Sequence, residues 1–441
     1  MKLDRDEKHA GYWPSAWPVE CGGNRRQKSA SGRLDARLRT PQVIQRSNGR
    51  WNVMVVEREP QELFLQGTMA AFQGPEPFGW VERIDPQTLE PLARTPDLPC
   101  GGHVWCGALL AHADGFLYSV NGAYLHQISP ACEVVSERKL PLDRAHNGLL
   151  SLSDGTLVTK DLRLEGQGPS SLTLLSPGSL EIMGEPMELP EGSMGRIAAD
   201  RNPSGDTIYI PGTEHLWRLH WDGTRLELDQ SWSPKYRTAG GDQGLAWDGC
   251  LSGDALWIMD NGDIPSVRKI FAQMPNGRFE NHPGKELSWQ QKTPWKGRQR
   301  ILRVNLKDSP QIVSATPFDD PGGGIIAPPV HIPEYDRVIA WDSVGGGLAG
   351  LQSKPERLET VWKANLRPTM QPVVFPESGE LIINHFESGR DGLVVVDIES
   401  GDILHRVDTG AKLANGMFLT ATSQGDVYYC TTGHLARLTF S

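Results

Sequence analysis

The sequence predicts an all-β fold, an eight-bladed β-propeller, on three observations. A pattern of polar start, apolar run, tight Gly/Asp turn and second apolar run returns about every 43 to 50 residues. Glycine and proline are plentiful, 48 and 33 in 441 residues, which suits a chain made of hairpins. Strand-like runs also fall into groups of four, and the last group is one strand short.

The repeat is clearest at His146-Asn147-Gly148-Leu149-Leu150, followed by Ser153-Asp154-Gly155 and Thr156-Leu157-Val158-Thr159. It recurs at Gln243–Trp247 with Gly253–Ile258, and at Asn415–Leu419 with Gln424–Tyr429. A period this long containing only short strands marks one propeller blade per repeat.

Taken in order, Trp51–Val56, Glu62–Leu65, Gly79–Ile84 and Glu90–Arg94 form a first group of strands A to D. Val104–Ala111, Phe116–Val120, Tyr124–Ile128 and Glu133–Lys139 form the second. The third runs from Asn147 to about Leu189, the fourth from Arg196 to about Trp232, and the fifth from Gln243 to about Thr316 with a long insertion. The sixth is Ile325–Leu366 and the seventh Gln371–Thr409. The last has three runs, Gly416–Thr420, Val427–Cys430 and Leu435–Phe440, and Arg33–Leu38 is the expected donor of its fourth strand. Such a strand closes the ring and removes two sheet edges. Seven blades is the alternative if the first group is irregular, and an array of β-sandwiches is the other arrangement open to these strands. The domain reading is an N-terminal extension, 1–30, and one propeller, 31–441, with a lid-like insertion at about 260–300.

Composition excludes several classes. A formal charge of -10 with 22% charged residues leaves no dense basic stripe for nucleic acid or an anionic membrane. The start, Met1-Lys2-Leu3-Asp4-Arg5, has no apolar core of a signal peptide, and a cytoplasmic protein is expected. Six scattered cysteines without CxxC spacing are expected to be reduced and structural.

In a propeller the A–B and C–D turns share one face and the B–C and D–A loops the other. The A–B turns here, such as His112-Ala113-Asp114-Gly115, are spare, and that face reads as hairpin turns alone. The opposite face carries the insertion, with Phe271, Phe279, His282, Trp289 and Trp295. About 40 residues without a strand pattern are expected to form a binding loop or lid, or a surface for a protein partner.

The same face gathers polar residues from nearly every group. A-strand starts offer His103, His146, Asn147, Arg196, Asp242, Gln243, Gln371 and Asn415. B-strand ends offer Lys160, Asp161, Asp260, Asn261, Asp342, His385 and Glu387. Convergent titratable groups at a concave mouth make a site for a small molecule. The plainer alternative is that they satisfy loop backbone and line a wet channel.

Three chemistries fit. A divalent ion, Ca²⁺ or Mg²⁺, would be held by Asn147, Asp242, Asp260 and Asn415 and would polarise an ester or lactone, with His103 or His146 as base. Metal-free acid–base work would pair His146 or His385 with Asp161 or Asp342 and set Arg196 on an anionic substrate. A redox metal on His103, His146 and His385 is the third. Gln243, Asp342, Gln371 and Trp289 are the expected substrate contacts.

The stretches His146–Asp161 and Gly241–Asp260 resemble the repeats of the SMP-30/gluconolactonase group. That resemblance implies a metal-dependent lactonase with Asn147 and Asp242 as ligands. The chain departs from the pattern in having eight groups rather than six and no counterpart of the first-strand glutamate ligand. The eight groups also resemble the PQQ-dependent dehydrogenase (quinoprotein-like) architecture. No adjacent cysteine pair and no repeating tryptophan motif accompany that likeness, so PQQ itself is not expected. The functional expectation is a hydrolase, lactonase-like, or a lyase acting on a polar, sugar-derived molecule. The alternative is a ligand-binding or protein-interaction propeller without catalysis.

Overall fold

Each group folds as an antiparallel meander because its apolar runs are separated by turns too short for any other connection. In the third, His146–Ser151, Leu157–Asp161, Ser171–Leu175 and Met187–Glu188 pair in chain order. Its first turn closes where Asp154 Oδ1 accepts the Thr156 N–H at 2.9 Å and Gly155 takes a φ of +90°. The computed structural model describes residues 10–69, 77–103, 107–163, 165–262, 297–321, 323–324, 327–343, 345–413, 416 and 418–441. The second to seventh groups each make one four-stranded sheet. No helix among these residues is long and apolar enough to cross a membrane.

The first and last groups share a seven-stranded sheet, built on two long strands. Pro41–Glu57 uses its first half, Pro41–Ser47, against His434–Phe440 and its second half, Trp51–Glu57, against Leu63–Thr68. Val427–Phe440 in turn pairs its start with Leu419–Ala421. The register breaks between Ser47 and Trp51, where Gly49 has a φ of +65°.

The strand that completes the last group is therefore Pro41–Ser47, and Arg33–Leu38 is not a strand. Asp35 lies in the left-handed region and its carbonyl accepts the N–H groups of Leu38 and Arg39, which turns the chain. Leu34 and Ala36 donate instead to Ser378 Oγ and Glu380 Oε1 of the seventh group.

The leading strands of the groups stand side by side around an axis. Ala108–Ala111 lies between Pro41–Glu57 and His146–Ser151, while Ala198–Asn202, Gly249–Ser252 and Val330–Ile332 follow one another. Val373–Phe375 lies against Leu419–Ala421, which returns to Pro41–Glu57. This is a β-propeller. Its cores lie between successive sheets: Trp257, Trp341 and Trp362 belong to one cluster spanning the fifth to seventh.

The segment from Gly11 to Ala36 runs inside this ring on the A–B side, which the spare turns did not foretell. Val19 bridges Leu110, the Asn24 carbonyl accepts from Ala199, the Arg25 carbonyl from Leu251, and Lys28 and Ala30 bracket Val374. The segment thus touches leading strands from the second to the seventh groups. At its centre Glu20, Arg26 and Lys28 are at most 2% exposed. Charged side chains buried this fully must be paired. Arg26 bonds Glu20 Oε1 and reaches Asp248 Oδ2 at 2.8 Å, while Arg196 Nη1 reaches Glu20 Oε2 at 2.6 Å.

Candidate functional site

The B-strand ends place equivalent carboxylates at Asp161, Asp260 and Asp342, and all three perform the same local task. Asp161 accepts the Ser171 N–H at 2.6 Å and Arg163 Nε at 2.7 Å. Asp260 accepts the Arg300 N–H at 2.8 Å and its Nε at 2.7 Å. Asp342 Oδ1 accepts the N–H groups of Gly324 at 3.0 Å and Gly345 at 2.9 Å. Each carboxylate therefore ties down the loop beside its strand. Burial pushes the Asp260 carboxyl up to about 7 against the pull of Arg300.

His146 and Asp161 are paired across the third sheet, as are Asn147 and Lys160. The His146 ring is fully buried. Its Nδ1 lies 3.0 Å from the Arg144 carbonyl and 3.3 Å from that of Gly122, so Nδ1 carries the proton. Burial pushes its pKa down to about 4. Lys160 Nζ donates to the carbonyls of Asp161 and Ser193, and burial pushes it down to about 7. Asn147 Nδ2 donates to the Met194 carbonyl at 2.7 Å. These side chains join the third sheet to its neighbours and have no surface on which a substrate could rest.

The remaining expected site residues are dispersed. Arg196, expected as a clamp for an anionic substrate, is 2% exposed, and Nη1 is taken by Glu20 and the Gly107 carbonyl. Gln371 Oε1 accepts from Cys21 Sγ at 2.8 Å, and burial pushes that thiol up to about 11. His103 is partly exposed, 3.4 Å from Asp143. Gln243 is half-buried and Asp242 exposed. His385 Nδ1 accepts the Arg367 N–H at 2.9 Å, and its Nε2 lies 3.6 Å from Glu387. Burial first, then Arg406, lowers the His385 pKa. Trp289, Asn415 and the body of the 260–300 insertion lie outside the described residues.

Three of the four expected metal donors can be placed, and Asn415 lies outside the described residues. Asp260 already carries the Arg300 guanidinium, Asn147 gives its Nδ2 to the Met194 carbonyl while its Oδ1 is buried without a partner, and Asp242 is exposed. Among the described residues no three His, Cys, Asp or Glu side chains gather as a group able to hold a metal.

An open cleft lies off the axis on the B–C/D–A face, with a volume of about 610 Å³. The approach to the sixth group, the loop after Trp341 and the end of the strand Arg357–Ala364 form it, carrying Phe318, Asp319, Asp320, Asp342, Lys363 and Asn365. Asp342 is the only expected site residue among them. Lys363 Nζ donates to Asp319 Oδ2 at 2.7 Å, which holds that carboxyl below its usual range.

Glycines make the wall. A Cβ on Gly345 would lie 2.5 Å from Asp342 Oδ2, one on Gly323 2.7 Å from the same oxygen, and one on Gly347 2.7 Å from the Phe318 ring. Real side chains do not approach so closely, so the carboxylate and the ring keep their places because these three positions are bare. The sequence shows Gly345-Gly346-Gly347, but nothing in it says which side chains the glycines admit. The inner charge cluster of Glu20, Arg26 and Asp248 was likewise not foreseen.

No family model matches the chain, and no curated protein matches it. Solved structures do. A europium-containing methanol dehydrogenase superposes with a TM-score of 0.63 at 9% identity, over 99% of this chain and 99% of the other. The Dos1 propeller matches with a TM-score of 0.55 at 11% identity, over 92% of this chain and 95% of its own. Sqt1 from Chaetomium thermophilum matches with a TM-score of 0.55 at 10% identity, over 90% and 99%. Identities this low carry the fold and nothing of the activity. The expected likeness to quinoprotein-type propellers holds at that level: the chain has the fold of a β-propeller.

Proposed function

We propose that this chain is an eight-bladed propeller that binds a small, neutral, polyhydroxylated molecule in the cleft over its sixth sheet. The eight-blade count takes the seven-stranded sheet as two blades, divided at the register break between Ser47 and Trp51. The observation that carries the ligand reading is the pairing of an aromatic face, Phe318, with Asp319, Asp320, Asp342 and Asn365 around one cavity. A ring's C–H face packs on an aromatic, and its hydroxyls donate to carboxylates. Three carboxylates against one lysine, itself paired to Asp319, disfavour an anion.

The test is a thermal-shift and calorimetric screen of neutral sugars and polyols. Asp320→Asn and Asn365→Trp change exposed lining residues and should abolish any shift while leaving the ligand-free midpoint in place. A shift that survives both substitutions would put the site elsewhere.

A second reading is turnover of such a molecule by hydrolysis or elimination. What favours it is the His385–Glu387 pair beside the cleft: Arg367, whose N–H fixes His385 Nδ1, has its Cγ 3.1 Å from where a Cβ on Gly346 would stand. Product analysis decides between the readings. An enzyme loses turnover in His385→Ala but keeps binding, whereas a binder forms no product at all.

A further inference from the structure

One wall of the cleft is held from the neighbouring sheet. Ala364 and Asn365 line the cavity, and residues 366–370 lead from them towards the seventh sheet. The Leu366 carbonyl accepts the N–H of Gly347, itself a lining residue, at 2.6 Å. Arg367 spends both backbone groups on Glu380–Glu387. Its N–H goes to His385 Nδ1 at 2.9 Å, and its carbonyl accepts the Phe386 N–H at 3.1 Å. Asn384 takes the end of the stretch, its Oδ1 accepting the N–H groups of Thr369 at 2.8 Å and Met370 at 3.1 Å.

Asn384 is fully buried, and its amide is fixed in turn. Nδ2 donates to Thr369 Oγ1 at 2.8 Å and to Asp391 Oδ1 at 2.9 Å. Tyr429 Oη of the last group donates to Asp391 Oδ2 at 2.6 Å. A line of hydrogen bonds thus runs from Tyr429 through Asp391 and Asn384 to the residues behind Asn365. Elsewhere in the ring Asp161, Asp260 and Asp342 accept loop N–H groups directly. Here an amide does so, with a second, ionisable group buried behind it at a desolvation cost that tying a loop does not require.

We propose that Asn384 is a positioning residue of the cleft, and that Asp391 makes its hold answer to pH. This rests on the cleft reading above. A carboxylate accepts the Nδ2 hydrogen more strongly than a neutral carboxyl does, so ionised Asp391 fixes the amide and, through it, the Asn365 wall. Burial pushes the Asp391 carboxyl up to about 7. The groups around it are Tyr429 Oη, the Asn384 amide and, from Ile403–Ala411, Thr409, whose Oγ1 donates to the Asp391 carbonyl. Beyond Thr409, His434 Nε2 bonds the Thr409 carbonyl, and burial keeps that ring below its ordinary value. As pH falls through about 7, Asp391 takes up a proton and the hold loosens.

The test uses the full chain with D-glucose, D-galactose and myo-inositol. These do not titrate near neutrality, so any pH dependence of binding belongs to the protein. The dissociation constant should fall about fivefold or more from about pH 5.5 to 8.5, and Asp391→Asn should keep the acid value throughout. Asn384→Ala should bind about fivefold or more weakly at alkaline pH. If that variant does not fold, Thr369→Val, which removes a group orienting the amide, should change affinity in the same direction. A merely structural role would lower the melting midpoint and leave the binding profile alone. The proposal falls, with the cleft reading intact, if Asn365→Trp blocks binding while Asp391→Asn keeps the wild-type profile. Should no probe bind the wild-type chain, the cleft reading fails and amide exchange decides on the hold. Corrected for intrinsic rate, the Thr369 and Met370 N–H groups should then be better protected above pH 7 in the wild type but not in Asp391→Asn. Equal protection on both sides of neutrality in the wild type overturns the proposal.

Discussion

Arg26 and Asp248 meet inside the ring, Nη2 to Oδ2 at 2.8 Å, although 222 residues separate them in the chain. The contact belongs to a closed cluster in which Glu20 holds both Arg26 and Arg196, and Asp248 Oδ1 also accepts the Arg196 N–H at 2.8 Å. Two cations face two carboxylates with almost no water, so each charge depends on the others.

Removing one member should therefore cost far more than a surface pair would. Asp248→Ala leaves Arg26 buried with half its partners and is expected to destabilise the fold by about 3–5 kcal/mol. Chemical denaturation of the purified variant measures it. A loss below about 1 kcal/mol, the range of exposed pairs, would mean that water reaches the cluster.

The pH dependence of stability should carry the mark of Asp391. This residue is fully buried, accepting from Tyr429 Oη at 2.6 Å and Asn384 Nδ2 at 2.9 Å, and burial pushes its carboxyl up to about 7. The folded state then holds a proton that the unfolded chain releases near pH 4. Its contribution is complete below that point and is lost as pH rises to about 7, by up to about 1.4 kcal/mol per unit. Asp391→Asn should flatten that part of a stability–pH profile. An unchanged slope between pH 4 and 7 would show that Asp391 is ionised in the fold.

Gly345→Ala should damage the cleft without replacing any of its polar groups. The added methyl would stand 2.5 Å from Asp342 Oδ2, inside any real contact distance, so the carboxylate or the loop must move. A loss of about 1–3 kcal/mol is expected from the overpacking, with loss of ligand binding. Wild-type affinity in this variant would remove Asp342 from the site.

The strands were legible because short, largely buried runs between tight turns write themselves into local sequence. Leu157–Asp161 and Tyr124–Ile128 fall where the repeat puts them. The strand that closes the ring was displaced by a few residues because Asp35 makes a turn that its neighbours do not announce. The positions of Asp161, Asp260 and Asp342 at strand ends were also readable. Their duty was not, since a carboxylate that accepts backbone N–H groups has the same one-letter code as one that waits for substrate. Nothing in the local sequence marks Glu20 and Arg26 as interior, because the further partners that hold them, Asp248 and Arg196, lie well over a hundred residues away. The cleft stayed hidden for a related reason: Phe318, Asp342 and Lys363 come from three separate stretches of chain, two loops and a strand end.

Placing the Gly11–Ala36 segment inside the ring has a consequence for biosynthesis. That segment is translated before the strands it joins, yet Lys28 donates to the Pro329 carbonyl, Lys28 and Ala30 bracket Val374, and Pro41–Ser47 pairs with His434–Phe440. Domains generally mature as they emerge, from the amino end onward. Here the segment lacks its full set of partners until the later groups have been made, and it must remain unaggregated in the meantime. A stretch translated ahead of the groups that follow it is housed only when those groups have closed around it.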